Sequence, residues 1–186
     1  MAMPAIADPV TTIEQLLALP EDGFRHELLE GVHVVTPAPQ LPHQRVILAL
    51  IRVLDAVLVR RDDLELFMSP ADVILTPRTL VQPDVFVVRK TPGEPLRAWA
   101  EIGIPVLAIE ILSPSSAARD RGVKRRIYQH AGVGEYWIVD LDARLIERWL
   151  PGDDRPEILT ERLAWTIAGG ASGAIDLAAL FASLDR

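Results

Sequence analysis

The chain has 186 residues, 49% of them apolar, with a formal net charge of −7 and no cysteine. That length and apolar share suit one domain built on one sizeable core. The missing thiols exclude disulfides and thiolate metal sites, and the net acidity argues against a general polyanion binder.

No basic region joined to a long apolar run marks the N-terminus, so no signal peptide is expected. No uncharged apolar stretch approaches the roughly 20 residues that span a bilayer, and the sequence reads as a soluble cytoplasmic protein. Charge is nonetheless uneven. Arg119-Asp-Arg-Gly-Val-Lys-Arg-Arg126 carries five bases against one acid, and Arg60-Arg61 forms a smaller cluster. Such clusters are either a basic face for nucleic acid or a solvated helix surface.

Residues 1–10 hold two prolines and no periodic pattern, which predicts a loose arm. Thr11 followed by Glu14 fits a capping box, so a short helix is expected over 11–19, ended by Pro20. Two apolar runs meeting at Glu30-Gly31 predict a β-hairpin over 24–36. Pro37, Pro39 and Pro42 forbid regular structure until His43. From Gln44 to Arg61, Val46, Ile47, Leu50, Val53, Leu54, Val57 and Leu58 recur at helix spacing and should pack on a sheet. Strands are expected over 64–68, 72–75 and 81–88, with Asp84 inside the last. Residues 92–103 read as a loop with a short helical turn. The almost wholly apolar run 105–112 resembles a central strand buried on both faces, with Glu110 its single charge. Ser115 or Ser116 can cap a helix to about Ala131, stopped by Gly132 and Gly134. Strands over 135–140, 145–150 and 157–165, a small-residue loop over 168–173 and a closing helix over 176–184 complete the reading. The order predicts a mixed α/β (α+β) single domain with one curved central sheet.

Chemistry is carried by acids within strands. A lone buried carboxylate is unfavourable, so it is paired, protonated or bound to a metal. Asp84 after Pro83 is either a strand-entry residue or a ligand. Glu110 either pairs with a base, such as an arginine or His130, or faces a cation. If the two stand on neighbouring strands they converge on one hard cation, and two carboxylates plus water are the usual protein share of a Mg²⁺ site. Asp120, Lys124 and Tyr128 share one helical face at i, i+4, i+8. That face is either an exposed Asp–Lys pair or one from which Lys124 orients a water or stabilises phosphoryl charge. Glu27, Glu30 and His43 form a second, weaker group, in which Glu30 reads as a solvated turn residue and His43 as a helix cap. His26 and His33 carry no evident chemistry. Zinc spacings, phosphate-binding glycine loops and a nucleophile elbow are all missing. No histidine is placed to activate Ser113, Ser115 or Ser116. Tyr136, Trp137, Trp149 and Trp165 read as core rather than as a base-stacking platform.

His26-Glu-Leu-Leu-Glu-Gly31, Pro37-Ala-Pro39, His43-Gln44, Gln82-Pro-Asp84, Glu110-Ile-Leu-Ser-Pro-Ser115, Asp120, Lys124, Tyr128 and Gly132-Val-Gly-Glu-Tyr-Trp-Ile-Val-Asp140 occur in one order. As an ordered set they resemble the Uma-two family of restriction-endonuclease-like proteins, over about residues 11–181. That family is similar to the PD-(D/E)XK nucleases, whose core is a helix packed on a mixed sheet. The resemblance implies Asp84 as the first motif acid and Glu110 as the second. The lysine usual two residues after the second acid is Leu112 here, and the resemblance implies Lys124, from the next helix, in its place. The acid often found on the first core helix has no clear match, with Glu30 or His43 as stand-ins and Asp120 and Tyr128 as further accessories.

The implied function is Mg²⁺- or Mn²⁺-dependent hydrolysis of DNA phosphodiesters. Asp84, Glu110 and the Ile111 carbonyl would hold the metal, and Arg119, Arg121, Arg125 and Arg126 would neutralise backbone phosphates. A two-fold assembly is expected of nucleases that cut duplex DNA. The alternatives are a catalytically silent nuclease fold used for binding or scaffolding, and a metal-dependent hydrolase of another substrate.

Overall fold

The structure is a computed structural model and describes residues 9–185. Most of the expected N-terminal arm lies outside that range, although Val10 packs beside Ile13, Leu16, Leu28 and Leu80. Helix α1 (Ile13–Leu17) is capped by Thr12 with Gln15, one residue later than the expected pair. Gln15 closes the box because its amide oxygen reaches back to the N–H groups of Thr11 and Thr12. Strands β1 (Arg25–Leu29) and β2 (Val32–Thr36) form the expected hairpin. Its turn residues, Glu30 and Gly31, both take positive φ, as the tightest hairpin turns require.

Helix α2 (Leu41–Leu58) starts earlier than the prolines suggested. Pro42 falls in its first turn, where a missing N–H breaks no helix bond. After β3 (Leu64–Met68) and β4 (Val73–Thr76) comes a correction. The run 81–88 is two strands, β5 (Thr79–Val81) and β6 (Val85–Arg89), which belong to different sheets. Pro83 cannot donate to a ladder, so pairing breaks there and Asp84 sits just before β6 rather than within it. Next come β7 (Leu107–Ile111) and a continuous helical rod. The rod is α-helical over Ala117–Arg119, π-helical over Asp120–Lys124 and α-helical again over Arg125–Ala131. Strands β8 (Tyr136–Asp140) and β9 (Leu145–Trp149) follow. The strand expected over 157–165 is in fact β10 (Glu157–Leu159) and β11 (Arg162–Ile167), and the segment read as a loop leads into β12 (Ala171–Asp176). A short helix (Leu177–Phe181), capped by Asp176, and a 3₁₀ turn follow.

The central layer is a mixed six-stranded sheet in the order β10-β9-β8-β7-β6-β3. Only β7 and β8 run parallel; the other neighbours are antiparallel. Parallel closure is tight at its start, where a Cβ on Gly134 would lie 2.6 Å from the Val106 carbonyl oxygen. Strand periodicity sorts side chains onto two faces. Val85, Val87, Leu107, Ile109, Ile111, Trp137 and Val139 meet Val46, Ile47, Leu50, Leu54 and Leu58 of α2, together with Leu163 and Trp165 of the β11–β12 ribbon. Phe86, Val88, Ala108, Leu112, Tyr136 and Ile138 meet Ile127 and Tyr128 of the rod and Leu29, Val73 and Val81 of the four-stranded sheet β2-β1-β5-β4. Glu110 lies between Ala108 and Leu112 and therefore points to this second face. Among the described residues no helix is long and apolar enough to cross a membrane.

Candidate active site

The end of β7, the approach to β6, strand β1 and the π-helical turn meet in one cleft of about 690 Å³. Asp84 lies in it with 1% of its surface exposed. Its Oδ2 accepts the Ile111 N–H at 2.8 Å, and its Oδ1 accepts Arg25 Nη2 at 2.7 Å. His43 Nε2 stands 3.2 Å from Oδ2, close enough for attraction but poorly angled for a hydrogen bond. Arg25 also donates to the Gln82 carbonyl at 3.0 Å, which fixes the guanidinium across the break between β5 and β6.

Glu110 is buried beside Asp84, and its Oε1 accepts from Lys124 Nζ at 2.7 Å and from the Tyr128 hydroxyl at 2.8 Å. Lys124 Nζ also lies 2.7 Å from Glu27 Oε1, which accepts the Gln82 N–H. One ammonium therefore joins an acid of the hairpin to an acid of the central strand. The partner of Glu110 is Lys124, while His130 is exposed. Asp120, Lys124 and Tyr128 share a face, as their spacing predicts, and all three are buried, so the exposed-pair reading fails. The π turn adds one residue to the helical repeat, with the Arg125 N–H donating to the Asp120 carbonyl. Such single turns inside α-helices recur at functional sites.

Four buried carboxylates, Glu27, Asp84, Glu110 and Asp120, face two firm cations, Arg25 and Lys124. Burial pushes the Glu110 carboxyl up to about 8; Lys124 opposes this, while Asp84, Asp120 and Glu27 add to it. Burial also raises Asp120, and its Oδ1 has no hydrogen-bond partner among the described residues. Asp84 goes the other way. Burial alone would raise it, but His43, Arg25 and the Ile111 amide hold it below the usual aspartate value. For Lys124, the fields of Glu110 and Glu27 outweigh burial and raise the ammonium above its ordinary value.

The donors in the cleft are hard oxygens of the kind that Mg²⁺ and Mn²⁺ take. Excess buried negative charge and the orphaned Asp120 Oδ1 fit a divalent cation. Among the described residues no three His, Asp or Glu side chains are arranged for ligation as they stand. Asp84 is engaged by Arg25 and Glu110 by Lys124, so loading requires those ion pairs to loosen.

A family profile described as "Putative restriction endonuclease", Uma2, matches residues 13–169. The chain belongs to the Uma2 family. No curated protein matches it. A crystal structure from Anabaena variabilis ATCC 29413, titled as "a putative nuclease belonging to DUF820", superposes with a TM-score of 0.78 at 22% identity. The match covers 93% of this chain and 98% of that one and shows a shared fold.

Within this Uma2 chain the structure brings together Asp84, Glu110, Ile111, His43, Asp120, Lys124 and Tyr128. Leu112, where the usual lysine would stand, packs in the core with Tyr128. Glu30 is not at the site: it holds the exposed hairpin turn, its N–H donating to Thr79 Oγ1. Glu30→Ala is accordingly expected to change any cleavage rate by less than about twofold, within the usual range for surface substitutions. Of the four arginines expected to meet phosphates, Arg119 and Arg121 line the cleft. Arg121 is already paired with Asp140 and Glu147, whereas Arg125 lies over the Trp149 ring. Arg126 is exposed outside the cleft lining. Sequence reasoning gave no role to Arg25 and only a weak one to Glu27. Their signal was slight, since a charged residue in a two-stranded hairpin reads as solvent-facing until the hairpin folds over the strand ends.

Proposed function

We propose that the cleft is the active site of a divalent-cation-dependent endodeoxyribonuclease. The observation that carries this reading is the meeting of Asp84, Glu110 and Lys124 at the end of β7, with the lysine supplied by the following helix. Asp84, Glu110 and the Ile111 carbonyl would hold Mg²⁺ or Mn²⁺. The ion, when bound, would polarise the phosphate and lower the pKa of an attacking water.

The chain's own groups divide the remaining work. Lys124 stays protonated, so it serves as a fixed positive charge for the developing phosphoryl charge and not as a base. The Tyr128 hydroxyl, raised well above its ordinary value by burial, remains a donor that fixes the rotamer of Glu110. Glu27 holds Lys124 from the opposite side, and Arg25 with His43 keeps Asp84 ionised.

A nuclease fold kept for binding or scaffolding is the competing reading, and the self-neutralised ion pairs favour it. Hydrolysis of a different ester in the same cleft is a third. The test is cleavage of plasmid and of single-stranded DNA with Mg²⁺ or Mn²⁺, comparing wild type with Asp84→Ala and Lys124→Ala. Cleavage lost in both variants supports the site. Cation binding without cleavage in wild type favours the silent fold or another substrate, and cleavage that survives both changes removes the proposal.

A further inference from the structure

We infer that the cleft takes one DNA strand separated from its complement, and not an intact duplex. This rests on the nuclease reading above and names its substrate. The groups that must reach the scissile phosphate are deeply placed: Asp84, Glu110 and Lys124 expose 1%, 3% and 2% of their surface. The cleft above them holds about 690 Å³. A space of that size falls in the range of pockets for small ligands. It admits a phosphate with its flanking sugar and base, as in enzymes that act on unpaired or extruded nucleotides.

The walls give little scope for widening. One is the segment carrying Pro37, Pro39 and Pro42, whose φ angles are fixed by their rings. The other is the serine-rich turn around Pro114, locked by the Ser113 N–H and Ser113 hydroxyl on Ser116 Oγ, each at 3.1 Å. Between them runs a bridge, with Arg119 Nη2 donating to Thr36 Oγ1 at 3.0 Å and tying the helical rod to the end of β2. Arg119 lines the cleft, and its guanidinium, with Nε unpartnered among the described residues, can turn from Thr36 to a strand phosphate.

Charge points the same way. The lining has six acidic and four basic side chains, and Arg121 is spent on Asp140 and Glu147. The lining therefore offers no net positive charge for a second phosphate chain. A single-strand substrate also needs no second active site facing the complementary strand.

The test measures fluorescence anisotropy with the full chain and Ca²⁺ on three labelled DNAs of roughly 20 nucleotides: a single strand, a blunt duplex and a fork with one unpaired arm. The fork is then cut with Mn²⁺ and the breaks are mapped. The expected result is single-strand and fork binding at least about tenfold tighter than blunt duplex, with breaks in the unpaired arm. Arg119→Gln should weaken single-strand binding several-fold and lower the salt slope by about one. Blunt duplex bound as tightly as single strand, or cut internally at the same rate, overturns the inference and leaves the nuclease reading standing. If no DNA is bound or cut with any of the cations, the nuclease reading falls and takes this inference with it.

Discussion

Lys124→Met is expected to lower folding stability by about 3–5 kcal/mol once pH rises above about 8 and to reduce cleavage by at least about 10²-fold. Methionine nearly matches the lysine stem in length, so the change removes the charge and leaves packing largely intact. The ammonium sits 2.7 Å from both Glu27 and Glu110, and all three groups are buried. Without it two carboxylates face each other with no counter-ion. Their loss is pH-dependent, with a definite sign. Glu110 already titrates at about 8 with the lysine present, so in the variant its folded pKa lies further above the unfolded value. A group raised in this way supports folding below its unfolded pKa and loses that support as pH rises through the folded one. Urea unfolding should therefore show a small deficit up to about pH 8, where Glu110 is protonated in both proteins, and a deficit that grows above it. Adding Glu27→Gln and Glu110→Gln should recover most of the stability and none of the cleavage. A variant as stable and as active as wild type would remove Lys124 from the site.

Much of this arrangement was legible in the sequence, for a physical reason. Glu110 is a charge in a run with no other, and burial forces such a residue to have a partner. The spacing Asp120, Lys124, Tyr128 named one helical face, but the partner expected for Glu110 was an arginine or His130, and it is the lysine of that face that fills the role. Helix α2 was equally plain, because Val46, Ile47, Leu50, Leu54 and Leu58 repeat at 3.6 residues and all are buried. What stayed hidden depends on strands that change sheets. Val81 to Val88 reads as one strand, and only the missing donor of Pro83 shows that Val81 and Val85 belong to different layers. That break frees Asp84 to take the Ile111 N–H. The four-stranded sheet β2-β1-β5-β4 could not be foreseen, because β5 is three residues long and meets β1 through Leu28 and Leu80. It is this sheet that swings Glu27 and Arg25 over the cleft. The same limit hid β11 and β12, whose Gly169, Gly170 and Gly173 suggest a loop although Leu163, Trp165 and Ile167 alternate inward.

Asp84→Asn is the second change with a large expected effect, and it separates charge from shape. The substitution keeps the volume, yet the amide cannot satisfy the site in either orientation. Asp84 accepts on both oxygens, from Arg25 Nη2 and from the Ile111 N–H, so the new NH₂ group must point at one of those donors. Arg25, largely buried, keeps only the Gln82 carbonyl as a hydrogen-bond partner of those described and loses its 2.7 Å ion pair, with Glu110 and Glu27 left to act on it from further away. Breaking a buried pair from one side costs about 3–5 kcal/mol, and the residual exposure of Arg25 places this case near the lower figure. Cation affinity should fall at least about tenfold, measured as Mn²⁺ binding by calorimetry, because ligands in such sites are ionised oxygens. Cleavage should drop by about 10³-fold or more, with loss of both the cation and its orientation. Pairing the change with Arg25→Met should restore stability, since the two charges then leave together, while Mn²⁺ affinity and cleavage stay low. Recovery of cleavage in that double variant would mean that Asp84 serves only to neutralise Arg25 and that the cation is held elsewhere.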